Sequence, residues 1–294
     1  MIVGPFRRIL ESSSKLLKAN FCVKTENIID ELKSSYDSLT LDDFAKTLRS
    51  LSCFDDVDKT NVADFITHFE STSRFDELVA SPVHAASILQ SALTLEICPE
   101  KLINSVIQED FIIKFPDDQW QLKALLAVKD TLAIEYHDKY GERIRQLDEL
   151  IKAKKSFKRW SMEQLLPMKP IDQSYSQKLS VLIYLACREY YPKQTISRHI
   201  LSFCVSPEII ICNTRFNPIM TDKEIEVAPN VIKDATIIRR FKDNNNKEFI
   251  SDLKLRNRLL EKMGFKIFTT EPLRINRKST FNYFRKSLPI KVDG

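Results

Sequence analysis

Fifteen lysine and arginine residues lie between Ala235 and Lys291, and only five acids (Asp243, Glu248, Asp252, Glu261 and Glu271) oppose them. The cations that could form one surface are Arg239, Arg240, Lys242, Lys254, Arg256, Arg258, Lys262, Lys266, Arg274, Arg277 and Lys278. Their segment carries a net +10 in a chain of 294 residues whose total is +5. A cationic module on a less basic body suits a polyanion, and nucleic acid is the commonest one. The chemistry on offer is phosphate neutralisation with release of counterions, which makes binding steeply salt dependent. Phe241, Phe281, Tyr283 and Phe284 supply rings that either stack on unpaired bases or fill a core.

These cations need a scaffold, and the sequence around them reads as strand, helix, strand. Ala235–Phe241 (ATIIRRF) is a β-branched run and Phe249–Met263 (FISDLKLRNRLLEKM) a basic helix. Gly264 then precedes a second apolar run, Phe265–Thr269 (FKIFT). Ile250, Leu253, Leu259, Leu260 and Met263 are expected on the buried side of that helix, with Lys254, Arg256, Arg258 and Lys262 facing solvent. Further short strands are expected at Glu208–Cys212 and Glu224–Ala228, making residues 193–294 a small α/β domain bounded near Pro192.

Residues 25–192 instead show helical periodicity. Thr40 is a predicted N-cap with Asp42 and Asp43 in the first turn, followed by Phe44, Leu48 and Leu51 on one face. Ser81-Pro82 opens a helix, Cys98-Pro99 closes it and opens another, and Asp117-Asp118 caps a long one running to Ile134. A further helix begins near Glu142 and ends in the basic run Lys152–Arg159, and another spans Tyr175–Tyr191. The fold class is therefore α followed by α/β: an array of α-helical hairpins, without a strict repeat, ahead of a small C-terminal domain.

Several functions are excluded by what is missing from the sequence. It holds no Walker A loop, dinucleotide fingerprint, HExxH or kinase signature, and its four histidines show no triad spacing. With six scattered cysteines lacking metal spacing, no metal or cofactor is expected and the thiols read as reduced core residues. No apolar stretch is long enough for a membrane span. Residues 1–24 are basic and amphipathic with a Ser run at 12–14, a composition that suits a mitochondrial presequence or a plain first helix. Residues 25–234 are left with a net −8.

The C-terminal segment resembles a RAP domain. ATIIRRF, a polar loop, LKLRNRLLEKMGFKIFTTEPL and a closing YFRKSLP follow that domain's pattern, with Lys254, Arg256, Leu260, Gly264, Phe265, Tyr283, Phe284 and Leu288 in matching places. Upstream, LLAVKDTLAIEYHDKYGERI is similar to a segment of the FASTK family, the Fas-activated serine/threonine kinase-like mitochondrial RNA-binding proteins. His137 and Ile151 depart from that family's pattern.

The resemblance implies residence in the mitochondrial matrix and RNA as partner, alongside other mitochondrial RNA-processing proteins. The implied work is transcript stability, processing or translation. It also implies likeness to the PD-(D/E)xK nuclease fold. Arg239-Arg240 stand where that fold's acidic strand residue is expected, so a non-catalytic protein is the first expectation. A metal-dependent endonuclease using Asp222, Glu224 or Glu226 with Lys223, and a protein-interaction scaffold, are the alternatives.

Overall fold

The computed structural model describes residues 25–154, 159–192, 194–212, 236–239 and 250–269. The N-terminal basic segment and the strand expected at Glu224–Ala228 lie outside them. The described residues fall into two compact units. One holds residues 25–154 with 250–255, and the other holds 159–192, 194–212, 236–239 and 256–269. Both are rich in helix, and the second also carries a small sheet.

The first unit is built from helices α1 (Thr25–Ser34), α2 (Leu41–Leu51), α3 (Lys59–Ser71), α4 (Arg74–Val79), α5 (Pro82–Thr94), α6 (Glu100–Val106), α7 (Glu109–Lys114), α8 (Gln119–Glu135) and α9 (His137–Ala153). Their starts follow local chemistry. The Thr40 hydroxyl accepts the Asp43 N–H at 3.1 Å, and the Asp58 carboxylate accepts from Thr60 and Asn61 at 3.0 and 3.1 Å. At the start of α8, Asp118 accepts from Gln121 at 3.1 Å. Each such cap satisfies an N–H that the helix itself cannot. Pro82 opens α5 as expected, but Ser81 turns its hydroxyl to Nδ1 of His84 at 2.7 Å and does not cap.

Helix α5 is buried on almost every side, with Ala85, Ala86, Ile88, Leu89 and Ala92 fully buried. Such a helix must sit inside a bundle, and α5 packs against α2, α4, α6 and α8. Beside it Phe44 lies 4.9 Å from Phe69 and 5.3 Å from Phe65, ring centre to ring centre. Arg74 closes this cluster by donating to the carbonyls of Tyr36 and Leu39 with its guanidinium beside the Tyr36 and Phe69 rings.

One expectation is corrected here. Helix α9 begins at His137, with Tyr136 alone separating it from the end of α8 at Glu135, and runs through Gly141. A Cβ at Gly141 would fall 2.5 Å from the His137 imidazole, so glycine serves packing inside the helix and does not break it. Lys154 donates to the carbonyls of Ile113 and Phe115 at 3.0 and 2.6 Å, capping the C-terminus of α7.

The second unit contains α10 (Met162–Leu165), α11 (Tyr175–Tyr190) and strands β1 (Thr195–Arg198), β2 (Glu208–Ile211), β3 (Thr236–Arg239) and β4 (Lys266–Thr269). Ser174 and Gln177 form a reciprocal capping box at the start of α11. The buried face of α11 (Leu179, Ile183, Cys187) packs with Ile209, Ile211 and Met162. Because α11 packs on the sheet, the units divide between 154 and 159, well before Pro192.

The strands lie side by side in chain order, β1 to β3 antiparallel and β3 to β4 parallel, with Ile237 in register with Ile267. The parallel step requires a crossover, which α12 (Ile250–Lys262) supplies. Strand β2 is buried along its whole length, matching its unbroken EIII run. Strand β1 was not expected. Its composition is weak, and it forms by pairing with β2, the ladder continuing as Cys212 N–H donates to Gln194 at 3.0 Å. Among the described residues no helix is long and apolar enough to cross a membrane.

Gly264 ends α12 as expected. It has φ +92, its N–H donates to Glu261 at 2.9 Å, and the Phe265 N–H reaches back to Leu260 at 3.1 Å. This is a Schellman stop. A Cβ there would meet nothing within 4 Å, so the cost of a side chain is backbone strain alone. Gly264→Val is expected to destabilise the protein by roughly 1–2 kcal/mol in urea unfolding, and Gly264→Asn by less. An unchanged midpoint for the valine variant would contradict this stop.

Candidate nucleic-acid interface

Helix α12 carries the basic residues, and its orientation decides which of them reach solvent. Asp252 in the first turn and Lys262 in the last both complement the helix dipole. Burial runs in doublets four apart: Ser251 with Asp252, Leu255 with Arg256, Leu259 with Leu260. Two of these inward positions are charged.

Asp252 belongs to the first unit and is 1% exposed. Its carboxylate accepts from Gln90 of α5 at 3.0 Å, Lys123 of α8 at 2.7 Å and Arg49 of α2 at 3.4 Å. Arg256 belongs to the second unit, with its side chain 7% exposed. Its Nε and Nη2 donate to Oε1 of Glu208 at 2.7 and 2.6 Å. Both buried charges are therefore compensated, as burial demands.

This geometry revises the expected RNA-contacting set. Arg256, read as solvent-facing, is an internal residue, and Met263, read as buried, is 44% exposed because it lies just past the end of the helix. Lys254 pairs at 2.6 Å with Asp55, a side chain 96% exposed. Such a surface pair contributes little to stability. Arg258 is half-buried, while Lys262 and Lys266 are exposed on either side of the Gly264 turn. Arg239 lies on β3, in register with Thr269. Arg240, Lys242, Arg274, Arg277 and Lys278 lie outside the described residues, as do Asp222, Lys223, Glu224 and Glu226.

Sequence reasoning missed Asp252 and Glu208 as structural anchors. A signal existed for Arg256: it stands three after Leu253 and four before Leu260, in line with the apolar stripe. Nothing in the sequence marks Glu208 as its partner, forty-eight residues away.

None of the described residues forms a group of three side chains able to hold a metal ion. Burial pushes the Cys187 and Cys212 thiols up to about 12, so both stay protonated and unreactive at neutral pH. Cys53 and Cys98 are only half-buried, against the expectation of core thiols. His199 is held below the ordinary histidine range chiefly by burial, and its Nε2 lies 3.1 Å from the Trp160 carbonyl. Comparison with protein-family models, with curated proteins and with solved structures finds no match for this chain.

Removing one partner of a buried ion pair leaves the other uncompensated. Arg256→Met and Glu208→Leu are each expected to cost roughly 3–5 kcal/mol in urea unfolding, with the double variant Arg256→Met/Glu208→Leu recovering part of that stability. Strict additivity of the two single effects would show that the pair does not operate. Lys262→Glu should stay within about 0.5 kcal/mol of the parent.

Proposed function

We propose that this chain is a mitochondrial RNA-binding protein whose C-terminal α/β unit is a RAP-like module that contacts RNA phosphates and acts in transcript stability, processing or translation. The observation that carries the reading is the +10 charge of residues 235–291 on a body of opposite sign. Exposed Lys262 and Lys266 at the Gly264 turn give that charge an outlet to solvent.

The contrast with the first unit supports the same assignment. There the cations are largely spent within the protein: Lys59 on Glu96, Lys129 on Asp148, Lys139 on Glu100, and Lys123 with Arg49 on Asp252. A lysine or arginine already compensated contributes less to phosphate binding.

A non-catalytic role agrees with the chemistry of Glu208. Its Oε1 is held by a buried guanidinium, and a carboxylate engaged in that way is a poor ligand for a nuclease cation. The mitochondrial matrix location rests on the composition of residues 1–24 and on the family resemblance.

Polarisation titrations with single-stranded RNA test the reading. Neutralising six phosphates should make affinity fall on the order of a thousandfold between about 50 and 200 mM salt. Lys262→Glu with Lys266→Glu should weaken binding to all sequences alike and lower the salt slope by about one for each phosphate no longer neutralised, without shifting Tm. No affinity for any RNA at low salt would refute the function, and magnesium-dependent cleavage by the wild-type protein would refute the non-catalytic reading. For location, a fluorescent fusion of the full chain should enter mitochondria and remain in the cytosol when residues 1–24 are deleted. A full-length fusion that stays in the cytosol would contradict it.

A further inference from the structure

The first unit carries a groove that RNA binding does not use. It opens between α4, the start of α5, α6 and α7, with a volume of about 1290 Å³. Small-molecule sites occupy roughly 300–1,000 Å³. A groove this size, open to solvent, suits a segment of a macromolecule. Val79, Pro82 and the buried ring of Phe111 give it apolar walls.

The rim is acidic. Asp76, Glu109 and Asp110 line the groove and are exposed, and among the described residues none of the three makes an ion pair. Elsewhere in this unit Asp42, Glu96 and Glu100 are matched with lysines. Of the two lysines at the groove, Lys101 is engaged, its Nζ donating to the Glu70 carbonyl at 2.6 Å and lying 4.1 Å from the centre of the Phe75 ring. Lys114 alone is left to oppose three carboxylates.

We propose that this groove docks a basic, amphipathic segment of a partner protein. Apolar side chains of that segment lie on Val79, Pro82 and Phe111 while its lysines or arginines meet Asp76, Glu109 and Asp110. Helix-in-groove recognition uses this division of labour. RNA is disfavoured, because its phosphates would face the three carboxylates. The site thus gives the acidic body, net −8 over residues 25–234, a role separate from that of the basic C-terminal segment.

The test uses the full chain and a synthetic amphipathic peptide with leucine at i, i+3, i+4 and i+7 and lysine elsewhere. The same peptide with glutamate for lysine is the charge control, and single-stranded RNA is the second ligand. Wild type should bind the lysine peptide and not the glutamate peptide. Asp76→Lys/Glu109→Lys/Asp110→Lys should weaken lysine-peptide binding about tenfold or more without weakening RNA binding.

The milder Asp76→Asn/Glu109→Gln/Asp110→Asn should weaken it less, and it keeps the test valid if the charge reversal unfolds. Equal lysine-peptide affinity in wild type and in the folded variants would overturn the proposal. So would a photo-crosslinker at Ser105 that labels RNA in place of the peptide. Weakened peptide binding with RNA affinity intact separates this inference from the proposed function.

Discussion

The ion pair between Arg256 and Glu208 sets how the basic helix lies in its unit. A guanidinium 7% exposed has to keep its carboxylate, or it leaves an uncompensated charge in the interior. With Arg256 turned inward, Leu255, Leu259 and Leu260 turn inward with it, and the last turn presents Lys262 to solvent. The rotation of α12 therefore decides which of its cations can meet a polyanion. Asp252, one turn earlier, is fixed just as firmly within the other unit by Gln90, Lys123 and Arg49.

Much of the local architecture was legible in the sequence because it rests on short-range chemistry. Thr40 caps α2, Pro82 opens α5, and Gly264 takes positive φ where the basic helix must stop. The β-branched runs at 208–211 and 236–239 became strands. What escaped depends on distant partners. Strand β1 exists because β2 pairs with it, and α11 joins the second unit because its apolar face meets Ile209 and Ile211. The burial of Arg256 also needed Glu208, and periodicity alone assigned the charge to solvent because charged side chains usually stay there unless paired.

For the candidate site, the sequence located the basic segment but overcounted its surface. Of the cations expected to fan outward from α12, Arg256 is structural and Lys254 is shared with Asp55. Net charge is a property of composition and survives this revision. The geometry of the proposed RNA-facing surface does not, and it moves toward the Gly264 turn. The two units divide the charge: cations of the first are mostly spent on its own acids, while residues 235–291 hold an excess of ten. That separation underlies both the proposed phosphate binding by the basic segment and the proposed docking of a basic protein segment on the acidic body.

The most direct measurement is ultraviolet crosslinking of the purified full-length protein to uridine-rich single-stranded RNA, with the attached peptides identified by mass spectrometry. The account predicts crosslinks within residues 235–291, including peptides that span the Gly264 turn. Crosslinks confined to residues 25–154, or none at low salt, would contradict it.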